Sequence, residues 1–293
     1  MIEFDLEKYL NHSRKVDLSD FDFSTATQYP LTEPEIRCLE YMMDIELSTI
    51  GYLRSVLRTS LIYDPESIGF LSCWAYEEYF HGRVIREYLK AAGVDVKKDR
   101  TTNVRRNTTL RERAEEAGMI VMCALTDHFT ATFLTWGAIQ ELTTLEAYHL
   151  LASRTGNPVL KQILWRLAKD ERRHFSFYYN KARGRLGAVT AQRLTTLLLK
   201  RFWTPVGSGV KKDPEVEWMI DFLFAGSEGA DAVRRIDSMI ARLPGLSWFN
   251  LFAARKRAIR LAVPAAASSS CTRDSVAATP SRSPGLELSE TSN

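Results

Sequence analysis

WAYEEYFHGRV (Trp74–Val84) and LAKDERRHFSF (Leu167–Phe177) decide how this chain folds. Each stretch carries an acidic pair and then a histidine three residues after the second acid, Glu78 to His81 and Glu171 to His174. With only 5 His in 293 residues, a repeated pattern using two of them needs a physical reason. On a helix, positions i±3, i±4 and i±7 share one face. Around Glu78 that face holds Leu71, Trp74, Ala75, His81, Gly82 and Ile85; around Glu171 it holds Leu164, Leu167, Ala168, His174, Phe175 and Tyr178. Both acids therefore sit in apolar stripes that should face a core. A carboxylate buried there without a partner is costly or takes up a proton. A carboxylate and an imidazole one turn apart can instead reach a single metal ion.

The remainder of the chain supplies the helices this needs. TEPE, beginning at Thr32, is a capping box with Pro34 in the first turn, and it predicts a helix to about Ser60. Asp64 and Pro65 read as the N-cap and first residue of a second helix, to about Gly93. A polar, basic connector, KKDRTTNVRRNTTLRER, follows. A long helical region is predicted over Glu115–Thr155, then a tight turn at Thr155–Pro158 and a fourth helix to about Arg183. Shorter helices are expected over Thr190–Trp203, Pro214–Ala225 and Ala230–Ala258. The tail from Pro264, rich in Ser, Ala and Pro, reads as disordered. The expected class is all-α: an antiparallel four-helix bundle over about 32–183, extra C-terminal helices over about 190–260 within a domain 1–263, and a tail 264–293.

In an antiparallel hairpin, residues equidistant from the turn lie level. With the first turn centred between Ile62 and Tyr63, Glu78 and His81 are level with positions 45–46, where Glu46 stands. With the second centred between Gly156 and Asn157, Glu171 and His174 are level with positions 140–141, where Glu141 stands. Both lone acids have apolar faces: Leu39, Met42, Met43, Thr49, Ile50 and Leu53 around Glu46; Leu134, Gly137, Ala138, Thr144, Leu145 and Tyr148 around Glu141. Four Glu and two His, with two of the Glu bridging, suit iron or manganese better than zinc or copper. Four carboxylates balance two divalent ions. One Glu from each of two helices and Glu-x-x-His from each of the other two is the ligand pattern of di-metal carboxylate bundles.

The same residues carry a resemblance. EEYFHG (Glu77–Gly82), QELTT (Gln140–Thr144) and DERRH (Asp170–His174) resemble motifs of the ferritin-like di-iron carboxylate superfamily, nearest to its soluble acyl-carrier-protein desaturase branch, over roughly Thr32 to Arg183. The chain departs from that branch in a short N-terminal region and a shorter second hairpin. The resemblance implies a ferritin-like bundle holding two iron ions (Fe/Fe, with Mn/Fe as the variant), with Glu46, Glu78, His81, Glu141, Glu171 and His174 as ligands. It also implies that Asp170 holds a ligand His from behind and that Thr144 places a hydroxyl beside the oxygen-binding face. Glu77 is read as a partner of a ligand His or as part of a plain salt bridge.

Other features have plainer readings. Glu146 and His149 form a third Glu-x-x-His, but it lies out of register by roughly 6 Å at 1.5 Å per residue, so surface or outer placement is expected. Asp44 shares its stripe with Arg37 and Glu40 and should face solvent. His128 reads as a satisfied core or cavity histidine. Gly137 leaves room for dioxygen or substrate, or else allows close packing. Gly207–Lys212 is a loop without the strand context of a phosphate site. Ala254–Arg260 is a solvated basic face, or a dock for an acidic carrier.

A net charge of +3 gives no argument for nucleic acid. The 4 Cys lack C-x-x-C spacing, so neither a zinc knuckle nor a disulfide framework is indicated, and no Cys cluster for an iron–sulfur centre is seen. No apolar run approaches about 18 residues, so no membrane span is expected, nor a signal peptide, and the default location is cytoplasmic. The function expected is an O2-dependent di-iron oxidase, desaturase- or hydroxylase-like, acting on an apolar small molecule or an acyl chain bound to a carrier protein. It would draw on an external electron donor and work as a homodimer. The alternatives are an iron-handling ferroxidase or store and a metal-free helical interaction protein.

Overall fold

The computed structural model describes residues 4–57, 59–97, 126 and 128–262. Its first helix, α1 (Leu6–His12), is capped by Asp5, which accepts from the Lys8 N–H. Two 3-10 turns, Leu18–Asp20 and Phe23–Gln28, carry the chain to the first hairpin. There the capping box forms as TEPE predicts: Glu35 Oε2 accepts from the Thr32 N–H at 2.8 Å and from its hydroxyl at 2.7 Å.

The helix it starts, α2 (Glu33–Val56), ends a turn before the expected Ser60, and a 3-10 turn over Ser60–Tyr63 leads into α3 (Pro65–Ala91). Asp64 stands at the N-cap position of α3. Its carboxylate accepts from the Ser67 hydroxyl and pairs with Lys181, both at 2.6 Å, rather than capping the backbone. The second hairpin is α4 (Phe129–Arg154) and α5 (Pro158–Arg185). The basic connector, the predicted helical start at Glu115 and the tail from Pro264 lie outside the described residues.

Asn157 closes the second turn. Its Oδ1 accepts from the Val159 and Leu160 N–H groups at 3.0 Å, and its Nδ2 donates to the Ala26 and Tyr29 carbonyls. One side chain thus caps α5 and ties the N-terminal arm to the hairpin tip.

Beyond the bundle come α6 (Val189–Phe202), α7 (Asp213–Leu223), α8 (Gly226–Ile240) and α9 (Leu251–Ala262). The single helix expected over Ala230–Ala258 is therefore two. Pro244 cannot donate a helical hydrogen bond, and Gly245 takes a left-handed φ of 77° with its bare Cα pressed toward Gln192. Asp237, from the end of α8, restarts the chain as α9 by accepting from the Phe252 and Ala253 N–H groups at 3.2 and 3.0 Å.

The fold is all-helical, with no strand among the described residues and no described helix long and apolar enough to cross a membrane. α2 pairs with α3, α4 pairs with α5, and α3 packs on α5. α4 is wrapped by α5, α6 and α8 and is buried on nearly all sides. The core runs through both hairpins, with Leu39, Leu134, Leu160, Leu164 and Leu167 at 0% exposure.

Three further expectations fail. Asp44 is buried, not solvated: Lys211 reaches it at 2.5 Å from the Gly207–Lys212 loop, which is a loop as expected. Ile50 lies on the stripe of Glu46 yet is 51% exposed. His128 is exposed at the start of α4, with Nε2 at 3.0 Å from the Thr190 hydroxyl, and is not a core histidine.

Candidate metal centre

The register read from the two turns places the side chains as expected. Ligand-type atoms of Glu46, Glu78, His81 and Glu171 lie within 4.8 Å of one another, and so do those of Glu78, Glu141, Glu171 and His174. Glu78 and Glu171 belong to both groups, so each group has one lone Glu, one His and the two shared carboxylates. All six residues are buried, the two histidines at 0% exposure.

The helices approach closely at this level because two glycines allow it. A Cβ on Gly82 would meet Leu47 Cγ at 2.6 Å and Glu46 Cβ at 3.1 Å. A Cβ on Gly137 would meet the Tyr178 ring at 2.4 Å, so Gly137 serves packing and leaves no free space.

Both imidazoles are oriented the same way. His174 Nε2 points outward to Glu77 Oε2 at 2.9 Å, and His81 Nε2 to Asp170 Oδ2 at 3.3 Å. With those nitrogens protonated, each Nδ1 turns a lone pair inward. His174 Nδ1 lies 2.9 Å from Glu78, 3.5 Å from Glu171 and 3.7 Å from Glu141. His81 Nδ1 lies 3.0 Å from Glu171, 3.8 Å from Glu78 and 4.0 Å from Glu46. Glu78 faces His174 and Glu171 faces His81, so α3 and α5 cross this level antiparallel.

The inward atoms are close yet make no hydrogen bond: Glu78 Oε1, Glu171 Oε1 and both Nδ1 atoms are buried without a partner. Orphaned buried lone pairs from acids and imidazoles converging on one point are what a bound cation would satisfy. The donor set therefore fits a metal.

The electrostatics agree. Burial, with repulsion from Glu78 and Glu171, pushes the Glu46 carboxyl well above its ordinary value, and burial does the same to Glu141 against the pull of His174. Burial would lower His81, but Asp170, Glu171 and Glu78 raise it to about 10, and the carboxylates around His174 raise it as well. Glu171, though buried, is held down to about 2 by the two histidines. The cluster draws positive charge from whatever supplies it, proton or metal.

The outer carboxylates are themselves anchored. Glu77 accepts from Tyr9 Oη at 2.7 Å, the Arg14 N–H at 3.2 Å and Arg173 Nη2 at 2.8 Å. Against its burial, His174, the Tyr9 hydroxyl and Arg173 hold Glu77 down to about 2. Asp170 pairs with Arg166 and with Arg173 at 2.6 Å. Glu77 and Asp170 thus stand behind the two histidines, one each.

Sequence reasoning missed what holds the lone acids. Tyr148 Oη donates a hydrogen bond to Glu46, and Trp74 Nε1 donates to Glu141 Oε1 at 3.1 Å. Both aromatics lie on the ligand faces read from the sequence, where they look like core. The signal was there: an indole or phenol in a stripe that also holds an acid has a polar end to place.

Glu146 and His149 stay out of the centre. Glu146 is clamped by Arg235 at 2.6 Å, and the His149 ring lies 4.9 Å from that of Trp165.

Thr144 is half-buried and lines a cavity of about 500 Å³, open mouth included, that reaches Glu46. Its other walls are mostly apolar: Met42, Ile45 and Ala147 from the bundle, and Met219, Leu223 and Phe252 from α7 and α9.

Residues 67–196 match the model of a family described as fatty acid desaturase. That span holds Glu78, His81, Glu141, Glu171 and His174, and leaves out Glu46 on α2 and the pocket walls from α7 and α9. No curated protein and no solved structure matches the chain. With its buried cluster of acids and histidines able to hold metal, the chain is similar, from α3 into α6, to the fatty acid desaturases, and this likeness supports an oxidoreductase of desaturase type.

Proposed function

We propose that the chain is a dioxygen-dependent di-iron oxidase that acts on the apolar chain of an acyl-type substrate, free or presented on a carrier. The observation that carries the reading is the set of orphaned inward atoms from Glu78, His81, Glu171 and His174, beside an apolar cavity that touches Glu46 and Thr144. Glu46 and His81 would hold one ion, Glu141 and His174 the other, and Glu78 and Glu171 both. When bound, the two iron ions supply the activation of dioxygen that breaking an unactivated C–H bond requires.

The rest falls to the protein. Glu77 and Asp170 accept the Nε2 protons and so fix the tautomer in which each Nδ1 is free to bind. Tyr148 and Trp74 hold one oxygen each of Glu46 and Glu141 and leave the other oxygen for the ion. The walls from α7 and α9 exclude water and lay the substrate against the Glu46 side, where Thr144 offers a hydroxyl. Electrons would come from an outside donor.

The test is anaerobic loading with ferrous iron, metal analysis, then dioxygen and a reductant with free and carrier-bound acyl substrates, read by mass spectrometry. Loss of two hydrogens or gain of one oxygen atom, abolished in Glu171→Ala, is the expected result. An iron-loaded chain that alters none of these substrates would overturn the reading.

A further inference from the structure

On the outer side of Glu77 and Asp170, the end of α1, Arg14 and α5 border a second, open pocket of about 490 Å³, solvent at its mouth included. Asn11, His12, Arg14, Arg166, Lys169 and Arg173 line it. None of these is an acid, and four carry a fixed positive charge. Arg166 and Arg173 are set in place by their pairs with Asp170 and Glu77, so their charges are matched from behind. Arg14 and Lys169 are exposed and have no carboxylate partner for their side chains among the described residues. The Arg173 Nε–H, buried behind this wall, has no partner either.

A concave wall of guanidinium groups held in a fixed orientation, with an ammonium and an amide beside them, matches the chemistry of a doubly charged oxyanion. We propose that this pocket binds a small oxyanion of two or more charges, a phosphate monoester or a dicarboxylate. The ligand would bring the negative charge that Arg14 and Lys169 lack. It is not the headgroup of a substrate in the apolar cavity, because that cavity lies among α2, α4, α7 and α9 and shares no lining residue with this one. The proposal stands whether or not the oxidase reading does.

The test titrates phenyl phosphate and succinate, both weak chelators, into the full chain by calorimetry at constant ionic strength, with metal content checked before and after. Saturable one-to-one binding of at least one of them is expected, and which one binds identifies the charge group preferred. Lys169→Ala and Arg14→Ala, both on the surface, should each weaken it roughly tenfold, as befits one charge-assisted hydrogen bond. Lys161→Ala, an exposed cation elsewhere on α5, should leave it unchanged. Arg166 and Arg173 are left intact because they anchor buried acids. Absence of saturable binding by both anions overturns the proposal, and so does binding that all three variants weaken alike, which would be screening by overall charge.

Discussion

The two hairpins carry the same ligands but are built to different standards. α4 and α5 meet through a turn of three residues that Asn157 caps, and α6 and α8 cover the outward side of α4. α2 and α3 are joined by a looser passage through a 3-10 turn that leaves Tyr63 82% exposed, and the helices themselves leave Ile50 51% and Ile68 45% exposed. Both nevertheless deliver one lone Glu, one shared Glu and one His to the same level. Ligand geometry here follows from register and close approach, whereas burial depends on what each hairpin is packed against.

The metal tests that equivalence most severely. On the proposed two-ion reading, Glu78→Ala and Glu171→Ala each remove a carboxylate common to both groups, so both variants should lose nearly all bound iron. Glu46→Ala and Glu141→Ala should keep about half, as expected when only one of two ions loses a ligand. Elemental analysis after ferrous loading reads this, and a shared-Glu variant that keeps full occupancy would break the symmetry.

Stability should show the opposite, an imbalance. Leu151→Ala on α4, at 1% exposure, should cost about 2–5 kcal/mol, while Ile50→Ala on α2 should stay within about 0.5 kcal/mol, measured by denaturant unfolding.

The glycines refine the point. Gly137→Ala drives a methyl into the Tyr178 ring and should cost about 1–3 kcal/mol. Gly51→Ala meets nothing within 4 Å on an open face of α2 and should gain roughly 0.5–1 kcal/mol.

The smallest effect concerns the C-terminal cover. Burial pushes the Asp237 carboxyl from 3.8 up to about 6, against two backbone N–H groups that favour its ionised form. The folded chain therefore holds this proton more tightly than the unfolded one. The stability it contributes is full below the unfolded pKa and is lost as pH rises toward about 6. Melting temperatures of Asp237→Asn against the parent across that range should show the parent's decline missing from the variant.

Much of this could be read from the chain itself. Glu46 and Glu141 were found by counting back from two turns, which works because an antiparallel pair with a short connection has almost no freedom of register. The hidden parts depend on segments far apart in sequence. Asp44 looks solvated beside Arg37 and Glu40, but Lys211 comes from 167 positions away to pair with it, and Arg37 lies over the Trp218 ring at 3.9 Å. The helix break near Pro244 was obscured by an apolar pattern that continues on both sides. The apolar cavity takes walls from α7 and α9, helices whose packing on the bundle no local pattern announces.

Trp74 gives the centre an optical consequence. Its indole N–H rests on Glu141, a carboxylate whose charge a bound cation would neutralise, so ion uptake changes the electric field across a fluorophore already in place. Of the 6 Trp in the chain, this one touches the acid cluster directly, and Trp74→Phe would remove the part of the emission that follows filling and emptying. On the proposed metal reading, Trp74 would serve as a gauge of occupancy, legible in a cuvette without a label.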